Sequence, residues 1–497
     1  GYSGGSVVHT PSVQCDSRCA THPNPASTHP ADIANTDTTR LTPMTQPYPP
    51  TAPHVRTAGQ PARNARSRHW IHEPGEVCLN HGTFGGWPAA VLETQTAWRA
   101  RLEGEPVRFF AEDLFDLFDW ARNDTARFLG CDAEGLVFVP NATTGVATAI
   151  HNLIASGQAG SGDELLITNH EYPACVNNAR HMAQNAGLSV VTAALPFPHP
   201  TPAAVLERVL AEVTPKTRIA LISHITSASG MLLPAHDLVR ELEARDVRVV
   251  LDAAHAPGHV RMGVDDLGAS YFAANLHKWV CSPKGSAVLH VRPDQRDRCR
   301  PLVLSNMANT PMPTRPHLHT EFDYVGTGDP TAVLCVPAAL RTMAAIWRHE
   351  PTKRFQAEAF RTNVRLDALD GAWAAIRTEN RALALRGQKH IADRLGIEPP
   401  VPPSMTACLA MIRLPRGSDA DRARLVSRPT RYADALQDRL VDKWGIQVPL
   451  VHPAGDTEEG SPVRCVRISA QMFNSHDQYQ YAAEALSNEM QEEQNAS

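Results

Sequence analysis

Between residues 136 and 291 short apolar runs alternate with helix-length amphipathic stretches, and this alternation restricts the possible folds more than any single motif does. Leu136–Val139, Leu165–Thr168, Leu188–Ala193, Ile219–Ser223, Val247–Leu251, Tyr271–Ala274 and Ala287–Val291 read as strands. Thr144–Ile154, Cys175–Asn185, Ala203–Val213 and Ala235–Ala244 read as helices between them. Strands that alternate with helices predict an α/β fold, with a mainly parallel seven-stranded sheet covered by helices on both faces. In such sheets ligands bind beyond the carboxyl ends of the strands. The polar residues that close these runs are therefore the first place to look for chemistry.

The flanking regions differ in character. Residues 1–70 are rich in Pro, Thr, Ser and His and hold only Tyr2, Tyr48 and Trp70 as aromatics. Such a stretch buries too little apolar surface to offset its ordering entropy, so a mobile or extended tail is expected there. Residues 71–330 form the expected large domain, and residues 331–497 a smaller C-terminal α+β domain. The smaller domain is expected to contain a helix over Ala332–Trp347 and strands over Ala407–Ile412 and Val463–Ser469.

Composition narrows the class. A net charge of −5 on 497 residues gives no basic footprint for nucleic acid or an anionic membrane. No stretch approaches the roughly 20 apolar residues of a membrane helix, and no basic-then-apolar leader opens the chain. The cysteines are dispersed, with no paired knuckles of the kind that hold structural zinc. These features suit a cytoplasmic enzyme with reduced thiols.

Lys278 is one of only six lysines. It follows the run Tyr271–Ala274, and Asp252 and His255 follow the run ending at Leu251. A lysine after one strand and a carboxylate at the tip of another suit pyridoxal phosphate, the amine forming a Schiff base and the carboxylate holding the pyridine nitrogen protonated. Asn141-Ala142-Thr143-Thr144-Gly145 follows the first strand and opens a helix, as an anion site or an ordinary threonine N-cap would. Asn169-His170-Glu171-Tyr172-Pro173 follows the second, where a ring could lie flat on a cofactor or the proline could simply close a turn. Gly326-Thr327-Gly328 reads as a flexible loop with a spare hydroxyl. Arg467, on a late strand, suits either a structural ion pair or an amino-acid carboxylate.

In this order, and with the opening Leu79-Asn80-His81-Gly82-Thr83-Phe84-Gly85, these motifs resemble the class V aminotransferase family. Its members are fold-type I pyridoxal-phosphate enzymes that include the cysteine desulfurases, and the likeness is strongest to the isopenicillin N epimerase subgroup. It spans about residues 76–490. The resemblance implies that Lys278 carries the cofactor and shuttles the proton, that Asp252 pairs with the pyridine nitrogen, and that His255 contacts the ring hydroxyl. It places Tyr172 at the stacking position and Thr143, Thr144, Asn275 and His277 at the phosphate, although relatives commonly have serine where Asn275 stands. Thr327 corresponds to a residue that reaches the neighbouring subunit's phosphate, which implies a homodimer with shared sites. Arg467 matches the substrate-carboxylate arginine, Asn80 is expected at the substrate as well, and no metal is implied.

Cysteine desulfurases carry a nucleophilic cysteine on a loop shortly before the arginine, but His452–Gly460 contains none. Three reactions then draw on the same electron sink, and the first two start with removal of the α-proton by Lys278. Loss of a β-thiolate gives C–S lysis, the leading expectation, on a cysteine S-conjugate in natural-product biosynthesis. Reprotonation on the other face, by an acid such as Tyr172, gives epimerisation. Decarboxylation with oxygen trapping gives oxidative deamination. From other classes, a metal-dependent hydrolase would use His170, His224, Asp252, His255 and His277 but leave Lys278 and Arg467 idle, and a catalytically dead scaffold would predict erosion at Lys278 or Asp252, both of which are intact.

Overall fold

The computed structural model describes residues 59–495 apart from 60, 74, 353–368, 416–429, 433, 453–456 and 459–460. Most of the expected tail, and much of the loop before the arginine, therefore lie outside the described residues. What is described of the tail includes a short 3-10 helix over Ala65–His69. Trp70, which follows it, is buried against Phe473.

The apolar runs become strands β1 (Leu136–Val139), β2 (Glu164–Thr168), β3 (Ser189–Ala193), β4 (Thr217–Ser223), β5 (Arg248–Asp252), β6 (Tyr271–Asn275) and β7 (Ala287–Val291). They form one seven-stranded sheet in the order β1-β7-β6-β5-β4-β2-β3. Strand β7 runs antiparallel to both neighbours and the other pairings are parallel. Side chains alternate across a strand, so Tyr271 and Ala273 enter one core while Phe272 and Ala274 enter the core on the opposite face. Burial on both faces explains why these strands read as continuous apolar runs rather than as alternating ones.

Helix α1 (Ala142–Ala155) leaves β1 through Asn141, whose Oδ1 accepts the Thr144 N–H at 2.9 Å. Gly145 lets this helix lie directly on the sheet: a Cβ there would stand 2.9 Å from Ala273 Cβ. Helix α2 (Pro173–Ala186) follows β2 and starts on Pro173, whose missing N–H falls in the first turn, where no intrahelical partner exists. The helix expected over Ala332–Trp347 is instead divided, into a turn over Thr331–Leu334 and helix α3 (Val336–Trp347). Pro337 in the first turn of α3 supplies no N–H to continue the preceding one.

The C-terminal layer contains α4 (Asp370–Leu395), β8 (Leu409–Arg413), β9 (Leu450–Val451), β10 (Cys465–Ser469) and α5 (His476–Asn495). Strand β10 lies between β9 and β8, antiparallel to both. Val466 and Ile468 point into the core beneath the helices, which turns Arg467 to the other face. Val77–Cys78 pairs in parallel with Ile446–Gln447, and Val77 and Leu79 join the same core. The segment Leu79–Gly85 is thereby anchored to this layer while it reaches toward the large sheet.

Gly145→Val tests the contact between α1 and the sheet. We expect a loss of about 1–3 kcal/mol in denaturant unfolding, the usual range for overpacking a filled core, and an unchanged midpoint would contradict this packing.

Candidate active site

The carboxyl ends of β1, β2, β4, β5 and β6 converge on one cavity of about 160 Å³. Thr143, Tyr172, Asp252, His255, Asn275, His277 and Lys278, all singled out from the sequence, line it together. Four others stand elsewhere. Thr144 is turned to the helix start, its hydroxyl donating to Asn141 Oδ1 at 3.1 Å. Thr327 is exposed and its hydroxyl lies 3.0 Å from that of Tyr324. Asn80 and Arg467 adjoin the cavity through Thr83 and Ser227, which do line it. Asn275 spends its Oδ1 on the Ala142 N–H at 2.9 Å and so ties the start of α1 to the end of β6.

Asp252 ends a central strand and is buried. Its Oδ1 accepts the Ala254 N–H at 3.0 Å and its Oδ2 accepts the Cys175 thiol at 3.3 Å. Burial raises its pKa, opposed by those two bonds and by the charge of Lys278. An ionised carboxylate at such depth, held only by neutral donors, costs on the order of several kcal/mol unless a cation joins it.

Lys278 Nζ lies 3.1 Å from His255 Nε2. Burial, then the charge of Arg467, lowers the lysine from 10.5 to about 8, against an opposing pull from Asp252. Burial, followed by the charge of Lys278, keeps His255 neutral far below its ordinary range, and its Nδ1 is buried with no partner among the described residues. The lysine backbone is held as well: His81 Nε2–H donates to the Lys278 carbonyl at 3.0 Å. Gly85, at φ 67°, passes so close that a Cβ there would stand 2.0 Å from the His277 carbonyl oxygen.

Arg467 is buried, and the acceptors around it are neutral. Its guanidinium donates to Thr83 Oγ1 at 2.5 Å, to Asn80 Oδ1 at 3.4 Å and to the Ser227 carbonyl. Burial pulls it down to about 10, and no carboxylate pairs with it among the described residues. A bidentate cation left without an anion suits an incoming carboxylate.

Sequence reasoning missed four residues here. Cys175 and Glu171 lie inside segments that read as helix and turn, Ser223 closes an apolar run, and Ser227 sits in a loop without a local signature. Cys465 shares the Arg467 face of β10 but packs against Met411 and Val463. Of the residues proposed for a metal, Asp252, His255 and His277 line this cavity, while His170 Nδ1 lies 3.0 Å from Ser229 Oγ. Among the described residues no group of three or more His, Cys, Asp or Glu is arranged to hold a metal ion.

Comparison with known proteins decides the family. The model of the aminotransferase class-V family matches residues 87–384, more than half of the chain. The chain belongs to the class V aminotransferases. It is 27% identical to the isopenicillin N epimerase of Streptomyces clavuligerus over 435 residues, which cover 85% of this chain and 96% of the relative. It is 26% identical to an L-cysteine desulfhydrase of Arabidopsis thaliana over 441 residues, 84% of this chain and 88% of the relative. Among solved structures, the cystine C–S lyase C-DES in complex with its product cysteine persulfide superposes with a TM-score of 0.64 at 18% identity, over 84% of this chain and 98% of that one. The fold is thus fold-type I, and the protein is a pyridoxal-phosphate enzyme. The cavity fits that group: a buried carboxylate lacking a strong cation, a helix N-terminus beside Thr143, and an amine lowered toward neutrality. Among the described residues no helix is long and apolar enough to cross a membrane.

The lysine gives a pH prediction. In cofactor-free enzyme, the rate at which Lys278 condenses with an aldehyde should rise through an inflection near pH 8, because only the neutral amine is a nucleophile. Removing the second-largest cause, in Arg467→Met, should move that inflection upward. An inflection near 10.5 in the parent enzyme, read by reductive labelling against pH, would contradict the buried setting of the amine.

Proposed function

We propose that this enzyme cleaves the Cβ–S bond of a cysteine S-conjugate by β-elimination, yielding a thiol, pyruvate and ammonia, in the biosynthesis of a natural product. Bound pyridoxal phosphate would supply the electron sink that makes the α-proton acidic. Asp252 would hold the pyridine nitrogen protonated, with His255 at the ring hydroxyl and Tyr172 against the ring face. Thr143, Thr144, Asn275 and His277 would surround the phosphate, with α1 directing its N-terminus there. Arg467, steadied by Thr83 and Asn80, would take the substrate carboxylate and orient the Cα–H bond toward Lys278. Lys278 Nζ would take that proton, and the electron pair of the breaking Cβ–S bond would leave on sulfur. Water then hydrolyses the unsaturated amine.

The observation that carries this reading is that, among the described residues, the cavity lining includes the Lys278 amine and no thiol. Transfer of sulfur through an enzyme persulfide needs an accessible cysteine, and none of the lining residues is one. Epimerisation needs a second acid held in place on the opposite face. Tyr172 lies at the cavity but is 43% exposed, and no described residue bonds its hydroxyl. The desulfhydrase relative and the cystine lyase perform, by their names, chemistry of the proposed kind.

A homodimer in the cytoplasm belongs to the same proposal. Phe84, at the cavity, and Val325, beside Thr327, are exposed, as expected if a second subunit covers them and receives Thr327 at its own phosphate. None of the described cysteines forms a disulfide, in keeping with a reducing compartment. Light scattering of the holoenzyme at the mass of one chain would refute the shared sites.

Incubation with S-substituted cysteines in D2O tests the reaction. Pyruvate and thiol should appear in equal amounts, and Arg467→Leu should raise KM by roughly 10²-fold through loss of a charge-assisted pair. Recovery of α-deuterated, inverted amino acid without pyruvate would establish epimerisation instead. Carbon dioxide release with oxygen uptake would establish oxidative deamination.

A further inference from the structure

Glu171 does not line the cavity, yet it is buried one residue before Tyr172 and every atom of its carboxyl is engaged. Thr168 Oγ1 accepts the His170 N–H at 3.2 Å, which leaves its proton to donate to Glu171 Oε1 at 2.7 Å. The Ser223 N–H donates to the same oxygen at 3.1 Å. Oε1 therefore receives two donors, and a proton on this carboxyl has its place on Oε2. Oε2 lies 2.5 Å from Ser223 Oγ.

Ser223 faces two ways. It ends β4 directly opposite Asp252 of β5, and it lines the cavity. A hydroxyl has one proton to give. With Glu171 ionised, Ser223 Oγ–H donates to Oε2 and only lone pairs remain for the cavity. With Glu171 protonated, Oε2–H donates to Ser223 Oγ, and the serine's own proton turns toward the cavity and Asp252. We propose that Glu171 and Ser223 are a positioning pair that sets whether the cofactor cavity is offered a hydroxyl donor or a hydroxyl acceptor beside Asp252.

The surrounding charges put both states within reach. Burial raises the Glu171 carboxyl from 4.5 to about 7, opposed by its bonds from Ser223 and Thr168 and reinforced by the charge of Asp252. From α2, Cys175 also interacts with Glu171, and burial keeps its thiol protonated. Lys278, beyond β6, acts on Asp252 rather than on Glu171. His170 and His224, next to the pair in sequence, are lowered by burial to about 4 and stay neutral through this range. Because the folded-state pKa is raised, this group's contribution to stability is present in full below 4.5 and is lost as pH rises through about 7. None of this depends on which substrate bond is broken.

The test uses substrate-free holoenzyme in three forms: parent, Glu171→Gln and Ser223→Ala. Two titrations are read on each, the infrared carboxylic-acid band and the visible band of the bound cofactor. In the parent both should inflect near pH 7. Glu171→Gln keeps a permanent donor to Ser223, so it should lose both inflections and hold the visible spectrum the parent shows at low pH. Ser223→Ala should keep the infrared inflection and lose the visible one. An infrared titration unchanged in Glu171→Gln would overturn the assignment of the proton. A visible titration unchanged in Ser223→Ala would overturn the relay, even if Glu171→Gln failed to fold.

Discussion

Asp252 sets the terms for the rest of the cavity. Its strand is central and covered on both faces, so its carboxylate leaves the sheet only at the carboxyl end and emerges away from bulk water. Ala254 and Cys175 satisfy its oxygens without neutralising it. A protonated pyridine ring is a cation of the right kind for that position, and it is flat enough to lie between strand ends. The same burial that raises Asp252 lowers Lys278 toward neutrality, so one physical cause prepares both for the roles proposed for them. Arg467 adds the third element, a guanidinium among neutral acceptors, carried in by the C-terminal layer.

That layer and the large sheet are joined where chemistry needs precision. Leu79 belongs to the C-terminal core, while Gly85, six residues later, presses on the backbone at His277. His81 between them bonds the Lys278 carbonyl. A single short segment thus fixes the lysine and, through Asn80 and Thr83, the arginine. Movement of either layer would therefore change the placement of Lys278 relative to Arg467.

Much of this was legible in the sequence because doubly buried strands leave long apolar runs. Each of the seven strands lies within two residues of its expected limits, and Lys278, Asp252, His255, Tyr172 and Thr143 stand at their ends. Contacts between residues distant in the chain were not legible. Asn275 was expected at a phosphate, but no local pattern announced that its side-chain carbonyl also holds the Ala142 N–H across 133 positions. Arg122 and Asp323 form a buried pair at 2.6 Å that no local pattern announces. Glu171 was in plain view beside Tyr172, but its role depends on Ser223, which closes what reads as an ordinary apolar strand. The division of Ala332–Trp347 at Pro337 could have been foreseen, since a proline inside a helical pattern marks a break.

The absorption spectrum of purified protein supplied with pyridoxal phosphate tests the central claim most directly. A visible band of stoichiometric cofactor, trapped by borohydride on Lys278 and lost in Lys278→Ala, is the predicted result. Absence of the band in the parent protein, or its persistence in full without Lys278, would contradict the assignment of this cavity as the cofactor site.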